Sequence, residues 1–217
     1  MRMAPEGWPF IAIGWGLAGA VAFAAVRWSA WWWGLEVLLV PLAVWLLVFF
    51  RNPDRTGPRG ERVVIAPADG RVVSVVETDE PAFLHGRALR VSIFMSVFDV
   101  HVNRYPVSGT VAYRNYHAGK FLHAAADKAS LDNEQSSIGL EGPRGAVLVR
   151  QIAGLIARRI VTDARVGDRA TQGTRLGMIR FGSRVDVYLP VAAHATARVR
   201  VGDRVAAGTT VLAEYPQ

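Results

Sequence analysis

Residues 63–77, VVIAPADGRVVSVVE, carry the pattern that predicts the fold of most of this 217-residue chain. It places two runs rich in Val and Ile on either side of a Pro-Ala-Asp-Gly turn, a pattern typical of β-strands joined by a tight turn. Similar runs follow at residues 88–97, 109–117, 145–154, 176–181, 184–190 and 209–215. The sequence therefore predicts a mainly β (α+β) domain over residues 63–217.

An internal repeat refines this prediction. The segment 166–173, VGDRATQG, resembles the segment 201–208, VGDRVAAG. In each copy Asp and Gly shape the turn of a strand–turn–strand unit, and the unit resembles the hammerhead turns of biotinyl- and lipoyl-type folds. Two copies are too few for a solenoid, and they predict a β-sandwich or barrel-sandwich-like domain built from paired hairpins.

Two apolar runs precede this domain, at residues 8–26 and 30–50. Each is close to the ~20 residues that a membrane-spanning helix needs, and the Trp cluster at 28–33 suits a membrane–water interface. We therefore predict an N-terminal hydrophobic helical membrane anchor over residues 1–50, followed by a Pro- and Gly-containing linker at 51–62. A signal peptide is one alternative. A shallow interfacial anchor is another, favoured by Glu36 and Pro41 in the second run.

Charge and composition narrow the functional classes. The net charge of +7 suits phosphates, in nucleic acid or in anionic lipid headgroups, and does not choose between them. The absence of Cys excludes disulfides, thiol nucleophiles and Cys-based zinc sites. By the positive-inside rule, the arginines after the second run predict that the β domain lies on the cytoplasmic side of the inner cell membrane. These arginines are Arg51, Arg55, Arg59 and Arg62.

The strongest candidate nucleophile is Ser183, which follows Gly182 between two apolar β runs. A hydroxyl beside a Gly carbonyl can attack that carbonyl, because no side chain shields it. The N→O acyl shift gives an ester, β-elimination leaves dehydroalanine, and addition of water with loss of ammonia leaves a pyruvoyl group. The alternative is an ordinary β-turn, in which Gly and Ser are common.

Two further segments carry candidate acid–base groups. His101 follows a buried-looking strand and is flanked by Asp, Asn and Arg, so it can act as a base, or it can be a solvated His in a surface turn. Asp69 lies in the Pro-Ala-Asp-Gly turn, which fixes the direction of its carboxylate. Such an Asp can orient an imidazole, as in a Ser-His-Asp triad, or it can simply shape the turn.

Together these segments resemble the short form of the phosphatidylserine decarboxylase family. Six segments match the motifs of the family in the same order along most of the chain. They are FFRNPDR (49–55), APADGR (66–71), FDVHVNRYP (98–106), KASxxNE (128–134), QIAGxxARR (151–159) and FGSRVD (181–186).

The resemblance implies a carboxy-lyase of phospholipid biosynthesis that converts phosphatidylserine to phosphatidylethanolamine and CO2. It implies self-cleavage between Gly182 and Ser183, assisted by Asp69 and His101, into a β subunit, 1–182, and an α subunit, 183–217. Ser183 would become a covalent pyruvoyl cofactor, derived from the chain itself, that forms a Schiff base with the substrate amine. The two subunits would form a heterodimer at the membrane, and assembly into a homo-oligomer stays open.

The sequence departs from longer family members, which carry His-x-x-His. Arg104 stands in the second place here, so either His101 does both tasks or another His completes the site. Arg104 could instead bind the phosphate or carboxylate of the headgroup. His117 and Lys120 are further substrate-binding candidates, or ordinary solvated surface residues.

Two other readings compete with this one. A membrane-anchored β-sandwich could be a non-enzymatic binding module, although a lipoyl or biotinyl carrier would need an acceptor Lys and none follows Lys128. A related decarboxylase could act on a soluble amine, against which the apolar runs argue, or on another lipid with a serine headgroup. Neither a metal-binding motif nor a Gly-rich phosphate loop is present, so we predict no metal and no nucleic acid partner.

Overall fold

A computed structural model describes residues 2–119, 133–154, 159–180 and 182–217 of the chain. The chain forms two compact units, Met1–Asp54 and Arg55–Gln217. The first is helical and the second consists mainly of strands. The mainly β fold with an N-terminal helical segment, as predicted from the sequence, is confirmed.

The first unit is a helical hairpin made of α1 (Trp8–Arg27) and α2 (Trp33–Phe49). The short strands β1 (Arg2–Met3) and β2 (Arg51–Asn52) pair antiparallel beside it. Many of its large apolar side chains are exposed, as expected of a surface that faces hydrocarbon. The segments Pro5–Arg27 and Ala30–Phe49 have mean hydropathies of 1.9 and 2.0 and are long enough to cross a membrane. The apolar helices therefore suggest membrane association.

Strands of the second unit form three antiparallel sheets. They are β3 (Val63–Ile65), β4 (Gly70–Glu80), β5 (Gly86–Met95), β6 (Val102–Arg104), β7 (Gly109–His117), β8 (Gln135–Gly142), β9 (Gly145–Ala153), β10 (Arg159–Thr162), β11 (Arg169–Ala170), β12 (Arg175–Arg180), β13 (Ser183–Pro190), β14 (Thr196–Ala197), β15 (Arg204–Val205) and β16 (Val211–Glu214). Within the described ranges, an eight-stranded sheet has the order β11-β7-β8-β9-β13-β5-β4-β15. Two three-stranded sheets have the orders β10-β12-β6 and β14-β16-β3.

The alternation of side chains along β13 shows how the sequence fills the interior. Val185, Val187 and Leu189 lie in the main hydrophobic core, to which all three sheets contribute. Arg184, Asp186 and Tyr188 lie on the opposite face, because successive side chains of a strand point to opposite sides. Both sets are buried. β13 is therefore covered on both faces as well as paired along both edges.

The two copies of the repeat adopt the same turn. The carboxylates of Asp168 and Asp203 each accept a hydrogen bond from the backbone N–H three residues earlier, at 2.8 and 3.0 Å. Gly167 and Gly202 have φ of +94° and +98°, which favours glycine. The turns lead into β11 and β15, which lie at opposite edges of the eight-stranded sheet. The repeat therefore supplies one edge strand on each side.

Residues 55–62, in the predicted linker, bond to turns of the second unit. Arg59 Nη1 donates to the carbonyl of Gly208 at 2.8 Å. The N–H of Gly60 donates to Gln172 Oε1 at 2.9 Å. The chain therefore approaches β3 along a path fixed by hydrogen bonds.

We expect Gly70→Ala to destabilise the β domain by about 2–4 kcal/mol. Gly70 has a φ of +153°, and an added Cβ would lie 2.1 Å from the carbonyl oxygen of Phe94. Gly86→Ala is the control, because its Cβ would lie 4.0 Å from the nearest atom. Thermal unfolding in detergent measures both, and equal losses of stability would contradict the prediction.

Candidate functional site

Ser183 opens β13 and is held on both sides by strands. Its backbone pairs with Met95 of β5 and with Ala153 of β9. The residue is 0% exposed, and among the described residues its hydroxyl has no hydrogen-bond partner. A buried polar group without a partner costs free energy. Such a group is expected where a side chain is needed for chemistry.

Gly182 precedes this strand with a φ of +68°, in the left-handed region. Among the described residues, an added Cβ would meet only Val97 Cγ1 at 3.9 Å, so the backbone conformation is the described feature that favours glycine here. The Gly182–Ser183 peptide therefore lies where a left-handed residue leads into an extended strand.

His101 directs its imidazole at the backbone N–H of Gly182, one peptide before the Gly182–Ser183 bond. Its Nδ1 lies 2.9 Å from the carbonyl oxygen of Asp99, and its Nε2 lies 3.3 Å from the backbone nitrogen of Gly182. A carbonyl only accepts and an N–H only donates, so these partners assign the proton to Nδ1 and the lone pair to Nε2. A buried, neutral imidazole with its lone pair beside the residue before Ser183 is well placed to act as a base.

Asp99 fixes the loop that holds this imidazole. Its Oδ2 accepts hydrogen bonds from the N–H and the hydroxyl of Ser96, both at 2.8 Å, and its Oδ1 accepts one from Arg204 Nη1 at 2.9 Å. Burial by itself would raise the pKa of Asp99. The hydrogen bonds from Ser96 and the charge of Arg204 outweigh burial and hold that pKa below its ordinary value. Sequence reasoning assigned no role to Asp99, because nothing in the spacing of the motif distinguishes it.

Asp69 lies in the turn before β4. Its Oδ2 accepts a hydrogen bond from Arg55 Nη2 at 2.6 Å, and its Oδ1 accepts one from the N–H of Ala207 at 2.7 Å. The same turn presents the carbonyl of Pro67 to the N–H of Arg104 at 2.8 Å. The Asp69 turn is thus bonded to the strand that follows the candidate base, and a role for Asp69 in self-cleavage stays a prediction.

The predicted substrate-binding residues occupy different places. Arg104 donates from Nη1 to the carbonyl of Gly173 at 2.9 Å. His117 is exposed at the end of β7, and Lys120 lies outside the described residues. Within the described parts of the chain, no group of three or more His, Cys, Asp or Glu could hold a metal ion. The substrate-binding roles stay predictions.

A buried ionic network holds the opposite face of β13, and sequence reasoning did not identify it. Arg184 pairs with Asp186 through two bonds of 2.7 and 2.8 Å, and both side chains are 1% exposed or less. Arg150 joins the Tyr188 hydroxyl to Glu80, with both distances 3.0 Å. Burial, together with the charge of Asp186, raises the pKa of Tyr188 to about 12. The bidentate geometry fixes the strand immediately after Ser183.

The chain is similar to known proteins over nearly its whole length. The family model for phosphatidylserine decarboxylase matches residues 42–213. A phosphatidylserine decarboxylase proenzyme of Symbiobacterium thermophilum is 50% identical over 216 residues, which cover 99% of this chain and 96% of that protein. Proteins of the same name from Nitrosomonas europaea and Aromatoleum aromaticum are 47% and 46% identical. These matches cover 98% and 99% of this chain, and 95% and 96% of those proteins.

We expect Asp99→Asn to lower stability at pH 7 by about 1 kcal/mol. The pKa of Asp99 is lower in the folded state than in the unfolded state, where it is near 3.8. Ionised Asp99 therefore stabilises the fold fully above this unfolded-state pKa, and the stabilisation is lost as pH falls through the lower folded-state pKa. The difference from the parent chain should therefore shrink below about pH 4.

Thermal unfolding across pH, with Ser183→Ala in both chains to prevent cleavage, measures this difference. Glu214→Gln is the control, because its ion pair with Arg198 is partly exposed and should contribute less than about 0.5 kcal/mol. A loss for Asp99→Asn that is equally large at pH 7 and pH 3 would contradict the assignment.

Proposed function

This chain belongs to the phosphatidylserine decarboxylase family, and on that premise we propose that it converts phosphatidylserine to phosphatidylethanolamine and CO2. The observation that supports this most directly is the buried Ser183 hydroxyl beside a glycine, with the His101 imidazole bonded to the Gly182 N–H. This arrangement suits a chain that modifies its own backbone, as the word proenzyme in the names of its relatives implies.

Ser183 is the proposed source of a covalent pyruvoyl group. The residue fits this role because its buried hydroxyl has no partner among the described residues, so the fold loses no described hydrogen bond when that oxygen departs. The group supplies a carbonyl that withdraws the electron pair released when CO2 leaves. The surrounding strands exclude water from the position at which this happens.

Self-cleavage begins with attack of Ser183 Oγ on the carbonyl carbon of Gly182. The new C–O bond forms, the C–N bond breaks, and an ester links the two segments. His101 Nε2 accepts the hydroxyl proton and returns it to the departing amine, as a general base and then a general acid. The carbonyl of Asp99 keeps the imidazole in the tautomer that this exchange requires.

Strand pairing would hold the two segments together after cleavage. Ser183–Pro190 pairs with β5, and Ser183–Tyr188 pairs with β9. Two further strands of the segment 183–217, β15 and β16, pair with β4 and β3 of the segment 1–182. We therefore propose a heterodimer whose α subunit supplies a central strand of the sheet.

Recognition of the headgroup is proposed to use cations. Arg104, His117 and Lys120 carry charges or hydrogen-bond donors that suit a phosphate or carboxylate. Asp69 is proposed to assist cleavage by fixing the turn beside the strand of His101. Its bonds to Arg55 and to the N–H of Ala207 support that positioning role.

The proposed location is the inner cell membrane, with the β domain on the cytoplasmic side. The apolar helices suggest membrane association, and the arginines after α2 favour this orientation. A lipid substrate requires a catalytic domain near the bilayer surface, which such an anchor provides.

We expect the wild-type protein to be recovered as two fragments, 1–182 and 183–217, with a carbonyl in place of the amine at the N-terminus of the smaller one. Ser183→Ala should leave one uncut chain, because it removes the nucleophile. Intact mass measures both. Ser92→Ala is a matched control that should not affect cleavage, because the Ser92 hydroxyl is also buried and, among the described residues, has no hydrogen-bond partner. A folded wild-type chain that stays uncut would favour the non-enzymatic binding module.

Membrane attachment and orientation predict a second result. The full chain should stay with the membrane fraction at alkaline pH, because each helix is long enough to span the hydrocarbon layer. Added protease should digest the β domain in inverted inner-membrane vesicles and spare it in right-side-out ones. The reverse pattern would contradict the proposed orientation, and release at alkaline pH would favour an interfacial anchor.

A further inference from the structure

Four polar side chains form a hydrogen-bonded row through the interior of the β domain. The oxygens of Ser136 and Thr162 lie 2.7 Å apart. Thr162 Oγ1 donates to Gln151 Oε1 at 2.9 Å, and Gln151 Nε2 donates to Asn103 Oδ1 at 2.7 Å. Gln151 and Asn103 are both 0% exposed. A buried polar group without a partner costs free energy, so each member of such a row needs a hydrogen-bond partner. The proposed mechanism uses none of these four residues.

The hydrogen bonds of this row fix the orientation of the Asn103 amide. Thr162 donates to the oxygen of Gln151, so the nitrogen of that amide faces Asn103. The oxygen of Asn103 accepts this bond, so its own nitrogen faces the other way. Among the described residues, Asn103 Nδ2 bonds only to Met95 Sδ at 3.6 Å, and a thioether is a weak acceptor. One strong N–H donor of Asn103 is therefore still available.

This donor lies over the start of β13. Asn103 bonds to Met95 of β5 and Gln151 of β9, the two strands that flank β13. Met95 pairs with Ser183, and Gln151 pairs with Val185. Neighbouring strands are about 4.8 Å apart. A side chain that reaches both flanking strands therefore crosses β13 between Ser183 and Val185, on the core face where Val185 lies.

The side chains of Asn103 and of His101, the candidate base, point to the same side of the chain. His101 precedes it by two residues, and in an extended segment residues i and i+2 point to the same side. The imidazole bonds to the N–H of Gly182, and the Asn103 amide bonds to Met95 and Gln151, whose strands flank the start of β13. Both side chains therefore approach the Gly182–Ser183 region from the same stretch of chain, residues 101–103.

We propose that Asn103 is a further catalytic residue of self-cleavage, which donates its Nδ2–H to Ser183 Oγ as this oxygen leaves. In the elimination a base removes the Cα proton of Ser183, and the C–H electron pair becomes the Cα=Cβ double bond. The Cβ–Oγ bond breaks, and Oγ leaves as part of the Gly182 carboxylate. Negative charge grows on Oγ, and an amide donor stabilises it. Gln151 and Thr162 are positioning residues that aim this donor.

This inference rests on the proposed self-cleavage and is tested through the ester that precedes elimination. Asn103→Leu keeps the branched shape of the side chain, with a larger volume, and removes the donor. The ester should form and then disappear about 100-fold more slowly than in wild type. Hydroxylamine splits such an ester into a 1–182 hydroxamate and a 183–217 fragment with a free Ser N-terminus, and mass spectrometry distinguishes this fragment from the carbonyl-bearing one.

Two companion variants separate a chemical role from a structural one. Thr162→Val removes the hydroxyl that orients Gln151 and should slow ester breakdown about tenfold. Asn103→Asp keeps an acceptor for Gln151 and loses the amide donor, so ester should persist at neutral pH as in Asn103→Leu. Thermal unfolding of each variant in the Ser183→Ala background reports folding independently of cleavage.

The outcomes distinguish the two proposals. A wild-type chain that never splits removes the proposed function itself. If the wild-type chain splits and the ester in Asn103→Leu breaks down as fast as in wild type, Asn103 has no role in elimination. The proposed function then stands. A folded Asn103→Leu chain that forms no ester also overturns the role of Asn103, since the effect would precede elimination. If Asn103→Leu does not fold, Thr162→Val decides, and a wild-type rate there overturns the inference.

Discussion

The central interaction of the β domain is the pairing of β13 with β5 along one edge and with β9 along the other. Both faces of the strand are buried, with an apolar core on one side and the Arg184–Asp186 pair on the other. Ser183 is its first residue, so the bond proposed to be cut lies at the end of the strand and not within it. Cleavage there would leave the register with both neighbours intact, and the new N-terminus would stay in the position that the strand gives it.

Polar groups in this interior are tolerated because nearly all of those described are bonded to one another. Asn103, Gln151 and Thr162 satisfy each other in one row, and Arg150 joins Tyr188 to Glu80 on the far face. Against that background an unpartnered hydroxyl at Ser183 is an exception. Ser92 is also buried and without a partner among the described residues, but it is preceded by Val91 and not by a glycine.

The repeated turns connect the edges of the domain to the site. Gly173 and Gly208 close equivalent turns, and their carbonyls accept hydrogen bonds from Arg104 and Arg59. The second copy also contributes Ala207, whose N–H bonds to Asp69, and Arg204 pairs with Asp99. Residues after position 183 thus help to orient groups before it, so the two proposed subunits would form one site.

The mainly β class, the apolar helices, the repeated turn and the family could all be predicted from the amino-acid sequence, because each depends on local periodicity or on short motifs. The sequence also singled out Gly182, Ser183 and His101 as a set. The bond between His101 and the Asp99 carbonyl, and the bond between the Gln151 amide and Asn103, became evident only in the folded structure. Those relations depend on strand register across long sequence separations, which the spacing of residues along one segment does not encode.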